Sequence, residues 1–201
     1  KRNASFSFIQ MADVQFGLFA ALSGADNERI ESAASRRLII RPVPSTTGFA
    51  KETDLYTRAI SEANQLRPEF VVMCGDMVQD SSDCAQLAEL SRITAKLRDD
   101  IPIKWVAGNH DVGNSLTRDS LTQYRERFGK DDYFFDVHGS RFIVLNSNIA
   151  FDSSEVPGEW ERQQEFLAHT LSQGNDSREN HIVVFTHHPL FLDYPEEDDS
   201  H

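Results

Sequence analysis

The stretch Phe70-Val71-Val72-Met73-Cys74-Gly75-Asp76 decides the fold, because an apolar run passes directly into a glycine and an acid. A short apolar run bounded by turn residues is typical of a strand that is buried on both faces. Strands of this kind belong to sheets covered by helices, and such sheets bind ligands at the carboxyl ends of their strands. Asp76 therefore lies where an α/β protein carries its functional residues.

Three further apolar runs end in the same way, in residues with oxygen or imidazole ligands. Carboxylate, amide and imidazole groups gathered at strand ends predict a site for two hard or borderline cations. The runs and their polar ends are residues 5–9 before Asp13-Val14-Gln15, residues 101–107 before Gly108-Asn109-His110-Asp111, and residues 182–185 before Thr186-His187-His188-Pro189.

Helical periodicity alternates with these strands and predicts a mixed α/β architecture. A hairpin adds an antiparallel part, with a turn predicted at Gly139-Ser140. Residues 18–48 show no compact period, and a connection of about thirty residues is long enough to be functional or mobile. The predicted helices begin near Glu52 and at a cap near Asp83, then follow the apolar positions Leu121, Tyr124 and Phe128, and finally Trp160, Leu167 and Leu171.

Net charge, apolar stretches and cysteine content limit the kinds of partner and location that the sequence favours. The chain has 201 residues and a net charge of −12, which would repel a nucleic-acid backbone. No apolar stretch approaches the roughly 20 residues needed to cross a bilayer. The two cysteines, Cys74 and Cys84, follow no disulfide or thiolate-metal pattern, so a reducing cytoplasm is compatible with the sequence. We therefore expect neither a nucleic-acid nor a membrane partner, and a cytoplasmic location.

The polar segments that follow the apolar runs, called polar islands below, resemble those of a known family. The order Asp13-Val14-Gln15, Gly75-Asp76, Gly108-Asn109-His110-Asp111, His187-His188-Pro189 resembles the calcineurin-like metallophosphoesterase superfamily. Residues 132–134, Asp-Tyr-Phe, and the acidic stretch that follows residue 192 are similar to a subgroup of protein serine/threonine phosphatases within it. The resemblance implies a four-layer α/β/β/α sandwich and covers nearly the whole chain.

One part of the family pattern has no match. The family ends its metal site with a Gly-His-x-His segment, and no such segment follows His188 in this chain. We therefore expect residues 1–201 to be a single domain that lacks its C-terminal part, with an incomplete second sheet, an exposed apolar sheet face and weak metal binding.

The resemblance also implies the metal ligands: Asp13, Gln15, Asp76, Asn109 and His187. Asp76 would bridge two divalent or trivalent cations, whether Mn, Fe, Zn or Mg. Gln15 departs from the family, because most relatives have histidine at this position. Its amide oxygen would favour Mn²⁺ or Mg²⁺ over Zn²⁺, and the alternative is a supporting hydrogen bond outside the metal shell.

Three side chains beyond the ligands have predicted roles. His110 is the candidate general acid that protonates the leaving alkoxide. Asp111 would orient a nearby histidine or charge-stabilise it, and capping the loop is an equal alternative. His188 faces the substrate or packs before Pro189. The acidic residues Asp193, Glu196, Glu197, Asp198 and Asp199 form a solvated loop or select basic phosphopeptides.

Three hypotheses about function follow. The first is a phosphomonoesterase that acts on phosphoserine or phosphothreonine in proteins, or on small phosphoesters, by attack of a metal-activated hydroxide. The second is a phosphodiesterase or nucleotide hydrolase on the same site. The third is a degenerate, metal-poor relative that serves as a binding module.

Overall fold

The computed structural model describes residues 5–23, 46–113, 116–173, 181–191 and 194–195. Within these ranges the chain forms two three-stranded sheets and a set of helices around them. In chain order the elements are β1 Ile9–Met11, α1 Leu18–Leu22, α2 Ala50–Leu66, β2 Val71–Cys74, α3 Cys84–Thr94, β3 Ile103–Val106, α4 Asn109–Val112, α5 Arg118–Phe128, β4 Tyr133–Val137, β5 Ser140–Val144, α6 Ser147–Phe151, α7 Glu159–Gln173 and β6 Ile182–Phe185.

The two sheets differ in their topology. The first has the order β1-β2-β3 and is parallel throughout, with β2 buried along its whole length. The second has the order β4-β5-β6, in which β4 and β5 form an antiparallel hairpin and β6 pairs with β5 in parallel. Each of the four strands that precede a polar island, β1, β2, β3 and β6, therefore pairs in parallel with a neighbouring strand.

An aromatic core joins the two sheets. The rings of Phe8 and Phe70 stack with centroids 5.0 Å apart, and Phe70 meets the edge of Phe142 from the second sheet at 4.9 Å. Such pairs add about 0.5–1.5 kcal/mol each beyond the area that they bury. The cluster includes buried residues from β2, β3, β5 and β6.

Helices cover the outer faces of both sheets. Tyr56 and Ile60 of α2 and Ile93 of α3 are buried in a second core that includes Val71 and Met73 of β2. On the other side, the carbonyl of Thr170 in α7 accepts a hydrogen bond from the buried Arg141 of β5. The order of layers is helix, sheet, sheet, helix, which confirms the predicted α/β/β/α fold class.

The helix predictions hold in part. The Asp83 carboxylate accepts hydrogen bonds from the backbone N–H groups of Ala85 and Gln86, so the predicted cap of α3 is confirmed. The predicted helix that contains Trp160, Leu167 and Leu171 is confirmed as α7, but not all of these apolar positions are buried. Trp160 and Leu171 are 36% and 42% exposed, whereas Gln163 and Thr170 are buried. The Gln163 side chain hydrogen-bonds to the backbone of Asn146, and the Thr170 carbonyl accepts from the side chain of Arg141.

The hairpin turn lies one residue earlier than predicted. Val137 pairs with Ser140, so the turn residues are His138 and Gly139, and Ser140 already belongs to β5. Both turn residues have positive φ, 49° and 81°, as in the type I′ turns that match the twist of the flanking strands.

The long segment at residues 18–48 is not irregular at its start, because α1 occupies Leu18–Leu22. Residues 24–45, Asn114 and the acidic residues at 193 and 196–199 lie outside the described ranges. Among the helices that the structure describes, none has both the length and the apolar character needed to span a bilayer.

The second sheet has an exposed apolar edge. Ile182 and Val184 of β6 are 45% and 44% exposed, whereas Phe185 is buried in the aromatic core. The apolar face expected at this sheet is therefore present along β6.

Candidate metal centre

Four strand ends converge on one place. Asp13 follows β1, Asp76 follows β2 and Asn109 begins α4 directly after β3. His187 follows β6 in the other sheet, and its Nδ1 lies 2.9 Å from the carbonyl oxygen of Cys74 at the end of β2. This bond fastens the second sheet to the first at the candidate site.

Four predicted ligands come together here. Ligand atoms of Asp13, Asp76 and His187 all lie within 4.8 Å of one another. His187 Nε2 is 3.5 Å from Asp76 Oδ1 and 3.1 Å from Asn109 Oδ1. Residues separated by more than a hundred positions in sequence thus offer two carboxylates, an amide oxygen and an imidazole to one small volume.

The imidazole of His187 is oriented as a metal ligand is. A carbonyl oxygen can only accept, so Nδ1 carries the proton that is donated to Cys74, and the lone pair of a neutral ring is on Nε2. That lone pair faces the oxygens of Asp76 and Asn109, which are themselves acceptors. Acceptors that face one another are brought together by a cation, and a backbone carbonyl behind the ring is the usual support for a metal-bound histidine.

The charges of the cluster also favour a bound cation. Asp13 is the most exposed of the three titratable ligands, yet partial burial raises its pKa above the usual value. His187 opposes that rise in the pKa of Asp13, and the carboxylate of Asp76 reinforces it. A bound cation would favour both ionised carboxylates.

The backbone that presents these ligands is strained. Asp13, Gln15 and Asp76 have φ values of 54°, 41° and 53°, in the left-handed region that residues other than glycine avoid. Hydrogen bonds between the two loops hold this conformation, from Asp13 N to Gly75 O at 3.1 Å and from Gln15 N to Asp76 O at 2.9 Å. Strain of this kind costs about 1–3 kcal/mol per residue and gathers at functional sites.

Two glycines allow the loops to approach each other. A methyl group at Gly108 would overlap the backbone nitrogen and Oδ1 of Asp76, and one at Gly75 would overlap Nδ1 of His187. The sequence signal was correct here, because glycine precedes the acid in one island and the amide in another.

His110 lies on α4 at the margin of the cluster. Its backbone N–H donates to Asp76 Oδ1 at 2.9 Å, and its Nδ1 is 2.8 Å from the carbonyl oxygen of Gln79. A groove of about 390 Å³ opens beside it, lined by Asn109, His110, Gly113 and residues 79–81. The predicted general acid thus borders both the ligand cluster and an open space.

Asp111 is buried beneath the loops. Its carboxylate accepts from the backbone N–H groups of Asp76, Met77 and Gly108 at 2.7–2.9 Å. Burial raises the pKa of Asp111 to about 7, and these hydrogen bonds oppose the rise. The contacts match the loop-capping alternative, while the predicted action on a histidine stays a prediction.

Gln15 is 7% exposed and has its amide nitrogen engaged, with Nε2 donating to Gln79 Oε1 at 3.1 Å. Its own Oε1 is the atom left to bind a metal. Gln79 was missed in the sequence, where it follows Asp76 by three positions without any ligand pattern.

His188 is held beside His187 by a serine. Its Nδ1 lies 2.9 Å from Ser147 Oγ, and its backbone N–H donates to the same oxygen at 3.0 Å. Its ring stacks on Phe151, and burial lowers the pKa of His188, with His187 acting in the same direction.

A buried amide network supports the β3 end and was also missed. The Asn148 amide donates to the carbonyl of Ala107 at 3.1 Å, and Asn146 connects Asn148 to Asp131 and Gln163. A signal was available, because Asn146-Ser147-Asn148 follows the buried strand β5 as the other islands follow theirs.

The fold and this cluster define an α/β protein with a group of potential metal ligands gathered at strand ends. The chain belongs to the calcineurin-like phosphoesterase family, whose model matches residues 6–201. This confirms the resemblance found in the sequence motifs.

Individual relatives and structures agree with the family. The chain is 34% identical over 202 residues to the serine/threonine-protein phosphatase CPPED1 of Rattus norvegicus, a match that covers 98% of this chain and 60% of that protein. It is 30% identical over 128 residues to the 3′,5′-cyclic adenosine monophosphate phosphodiesterase CpdA of Pseudomonas aeruginosa, covering 63% of this chain and 42% of that one. A dimetal phosphatase from Danio rerio superposes with a TM-score of 0.62 at 18% identity, over 92% of this chain and 70% of that chain.

Proposed function

We propose that the chain carries the reaction centre of a metal-dependent phosphatase that hydrolyses phosphate monoesters, with phosphoserine and phosphothreonine in proteins as its substrates. The observation that carries the proposal is the meeting of Asp13, Asp76, Asn109 and His187 beside His110. The relatedness to a serine/threonine-protein phosphatase supports the substrate class. The chain spans 60% of that relative, and the proposal takes residues 1–201 as one domain.

The ligands would hold two divalent or trivalent cations, with Mn, Fe, Zn and Mg as the candidates. Asp76 would be a ligand shared by both cations, because its carboxylate lies between His187, 3.5 Å from Oδ1, and the start of α4, whose His110 N–H donates to it. Asp13, Asn109 and His187 complete the set, with Gln15 Oε1 as a further ligand. Bound there, cations would neutralise charge on the phosphate and make a nucleophile available near neutral pH.

The residues of the chain supply orientation and a proton. The Cys74 carbonyl fixes the His187 ring, and the Asp111 carboxylate fixes the loops that carry Asp76 and Gly108. His110, with Nδ1 turned to Gln79, protonates the leaving oxygen from Nε2. The groove beside His110 then receives the leaving group, which is the serine or threonine side of the substrate.

The remaining partner and location predictions belong to the same proposal. A phosphorylated protein or a small phosphoester is the partner, and the net charge of −12 disfavours nucleic acid. A cytoplasmic location fits two free cysteines, of which Cys84 is exposed.

A phosphodiesterase acting at the same site is the second candidate. Its support is the 30% identity to a cyclic-nucleotide phosphodiesterase over 63% of the chain. A metal-poor binding module is the remaining alternative, and it predicts neither bound metal nor turnover.

The test uses the full-length gene product purified with Mn²⁺, together with its Asp76→Asn variant as the matched control. We expect elemental analysis to find metal in the first and little in the second. We also expect hydrolysis of p-nitrophenyl phosphate and a phosphoserine peptide to exceed that of bis-p-nitrophenyl phosphate. Preference for the diester would favour the second candidate, and a metal-free, inert protein would overturn the proposal.

A further inference from the structure

Among the described residues that line the groove beside His110, Asp80 is the one carboxylate. The groove has a volume of about 390 Å³, and its other described lining residues offer amides, a hydroxyl, an imidazole or bare backbone. Asp80 is exposed, so its side chain is accessible to a ligand that enters the groove. It follows Asp76 by four positions and belongs to none of the ligand motifs.

Local hydrogen bonds hold Asp80 in place. Its Oδ1 accepts from the backbone N–H and the hydroxyl of Ser82, at 2.8 and 2.6 Å. Its own backbone N–H donates to Gln86 Oε1 at 2.9 Å, and its carbonyl accepts from the N–H of Asp83, the cap of α3, at 3.1 Å. A turn aspartate of this kind uses one carboxylate oxygen for its own backbone. Oδ2 therefore remains available to a ligand.

The carboxylate of Asp80 keeps its negative charge at neutral pH. The hydrogen bonds from Ser82 hold the pKa of Asp80 below its usual value. A cationic side chain, Arg127, approaches the same loop, but its Nη1 donates to the Ser81 carbonyl at 2.6 Å, and its side chain lines a separate groove beside Phe128. Within the described part of the chain, Asp80 therefore has no cationic side chain as a partner.

A peptide bound for hydrolysis would place a flanking side chain in this groove. With the phosphate on the ligand cluster and the leaving oxygen at His110, the peptide beside the phosphorylated residue continues into the space that His110 and Asp80 share. A lysine or arginine there can extend its methylene groups along the groove and its charge to Oδ2. An exposed ion pair gives at most about a fivefold preference, or about 1 kcal/mol at 1.36 kcal/mol per tenfold.

We propose that Asp80 is a specificity-determining residue, which selects phosphopeptides with a lysine or arginine directly beside the phosphorylated residue. The inference rests on the proposed function, because it takes the ligand cluster as the place of the phosphate and the groove as the place of the leaving group. It differs from the effect of the net charge of −12, which acts on a peptide wherever its charges lie. The selection by Asp80 depends on one position of the peptide.

The first test compares positional isomers of one phosphoserine peptide, using the full-length protein with Mn²⁺. Each isomer has a single lysine directly before the phosphoserine, directly after it, or at the end of the peptide, and neutral residues elsewhere. Because the isomers have the same net charge, attraction by the molecule as a whole affects them alike. We expect kcat/KM to be about fivefold higher for one of the adjacent placements than for the remote one. Equal kcat/KM for all isomers would overturn the inference.

Three variants test whether the preference arises at Asp80. Asp80→Asn keeps an acceptor for Ser82 but removes the charge, so we expect the ratio between the isomers to fall to about one. Asp80→Lys reverses the charge, and we expect it to prefer glutamate at the same peptide position. Asp54→Asn removes an equal charge from the exposed surface of α2 and keeps the wild-type ratio. A lysine preference that persists in Asp80→Asn, or is lost in Asp54→Asn, would contradict the assignment.

The second test measures binding without turnover. Difluoromethylene phosphonate analogues of the same isomers lack the ester oxygen and cannot be hydrolysed, and fluorescence anisotropy gives their Kd. We expect one adjacent-lysine analogue to bind about fivefold more tightly than the remote one to the wild type, and equally to Asp80→Asn. Equal Kd values in the wild type would overturn the inference even if the enzyme is active. An inert protein with the expected Kd values would refute the proposed function and leave the role of Asp80 in binding intact.

Discussion

At the scale of single residues, substitutions in the ligand cluster are expected to have the largest effect on turnover. Asp76→Asn removes the negative charge of the proposed bridging ligand, and His187→Ala removes the imidazole whose Nδ1 bonds to the Cys74 carbonyl. Loss of a group that merely supports a ligand costs about 10–100-fold in metal affinity or activity, so loss of the ligand costs more. We expect metal-dependent turnover to fall to background in both variants, with metal content falling in parallel.

The control for these variants is Asp54→Asn, because the Asp54 side chain is 70% exposed and pairs with Arg58 along α2. This substitution leaves turnover and metal content unchanged. Full activity in Asp76→Asn would contradict the role given to the cluster.

Substitution of His110 is predicted to slow turnover without affecting metal binding. Its backbone, which contacts Asp76, is unchanged in His110→Ala, whereas the ring that borders the groove is lost. General acid catalysis contributes about 10²–10⁴ in rate, and we expect kcat to fall by that factor at unchanged metal content. A His110→Ala enzyme with wild-type kcat on a phosphoserine peptide would eliminate the proposed acid.

Gly108 tests the close approach of the two loops. A methyl group there meets the backbone of Asp76, and relief by movement of the loops would cost about 1–3 kcal/mol. We expect Gly108→Ala to lower the denaturant midpoint and to lose bound metal. Gly48→Ala is the matched control, because that position has φ of 74° but open space around it. It is expected to lower stability through backbone strain alone, by about 1–2 kcal/mol, and to keep its metal.

At the scale of elements, the buried amides after β5 connect the second sheet to the site. Asn146 is fully buried, and its side chain donates to Asp131 and accepts from Asn148, which in turn holds the carbonyl of Ala107. Asn146→Ala removes the partner of Asp131 Oδ2 and of the Asn148 backbone N–H, and we expect the free energy of unfolding to fall by about 1–3 kcal/mol. Thermal or urea denaturation measures this change.

The comparison for Asn146 is Asn64→Ala on α2. Asn64 also makes two hydrogen bonds, to Lys96 and Arg98, but on the exposed surface. Water replaces those hydrogen bonds, so the decrease in the free energy of unfolding is expected to be smaller, under about 1 kcal/mol. A loss at Asn64 that equals the loss at Asn146 would refute the weight given to burial.

The elements also show how far the sequence can be interpreted. The strand ends were predictable because their signal lies in neighbouring residues: an apolar run of the length of a strand precedes each candidate ligand. The cap at Asp83 was predictable for the same reason. The short helices α1, α4 and α6 were not, because four or five residues carry too little periodicity and α4 coincides with the Asn109 island itself.

Other features depend on contacts between distant residues. Gln163 and Thr170 occupy buried positions of α7. The Gln163 side chain hydrogen-bonds to the backbone of Asn146, and the Thr170 carbonyl accepts from the Arg141 side chain of β5. Gln79 has no local signal, because its importance arises only when the loops after β1, β2 and β3 meet. Ligand residues could thus be found from the sequence, while their supports could not.

At the scale of the whole molecule, we expect net charge to affect how a charged substrate approaches the site. The chain has a net charge of −12, so a phosphopeptide rich in lysine is attracted and one rich in glutamate is repelled. We expect kcat/KM for the lysine-rich peptide to fall as salt is raised and that for the glutamate-rich peptide to rise, because the Debye length shortens to about 8 Å near 0.15 M ionic strength. Identical salt profiles for both peptides would show that the overall charge does not steer binding.

The left-handed backbone at positions 13, 15 and 76 has a consequence for directed evolution. Glycine at any of the three would relax the main chain, and at the two acids it would also remove mutual repulsion between carboxylates. A laboratory screen that selects for thermal stability alone would therefore enrich variants that have lost the candidate metal ligands. Libraries built on this scaffold should hold those three codons constant and seek robustness elsewhere.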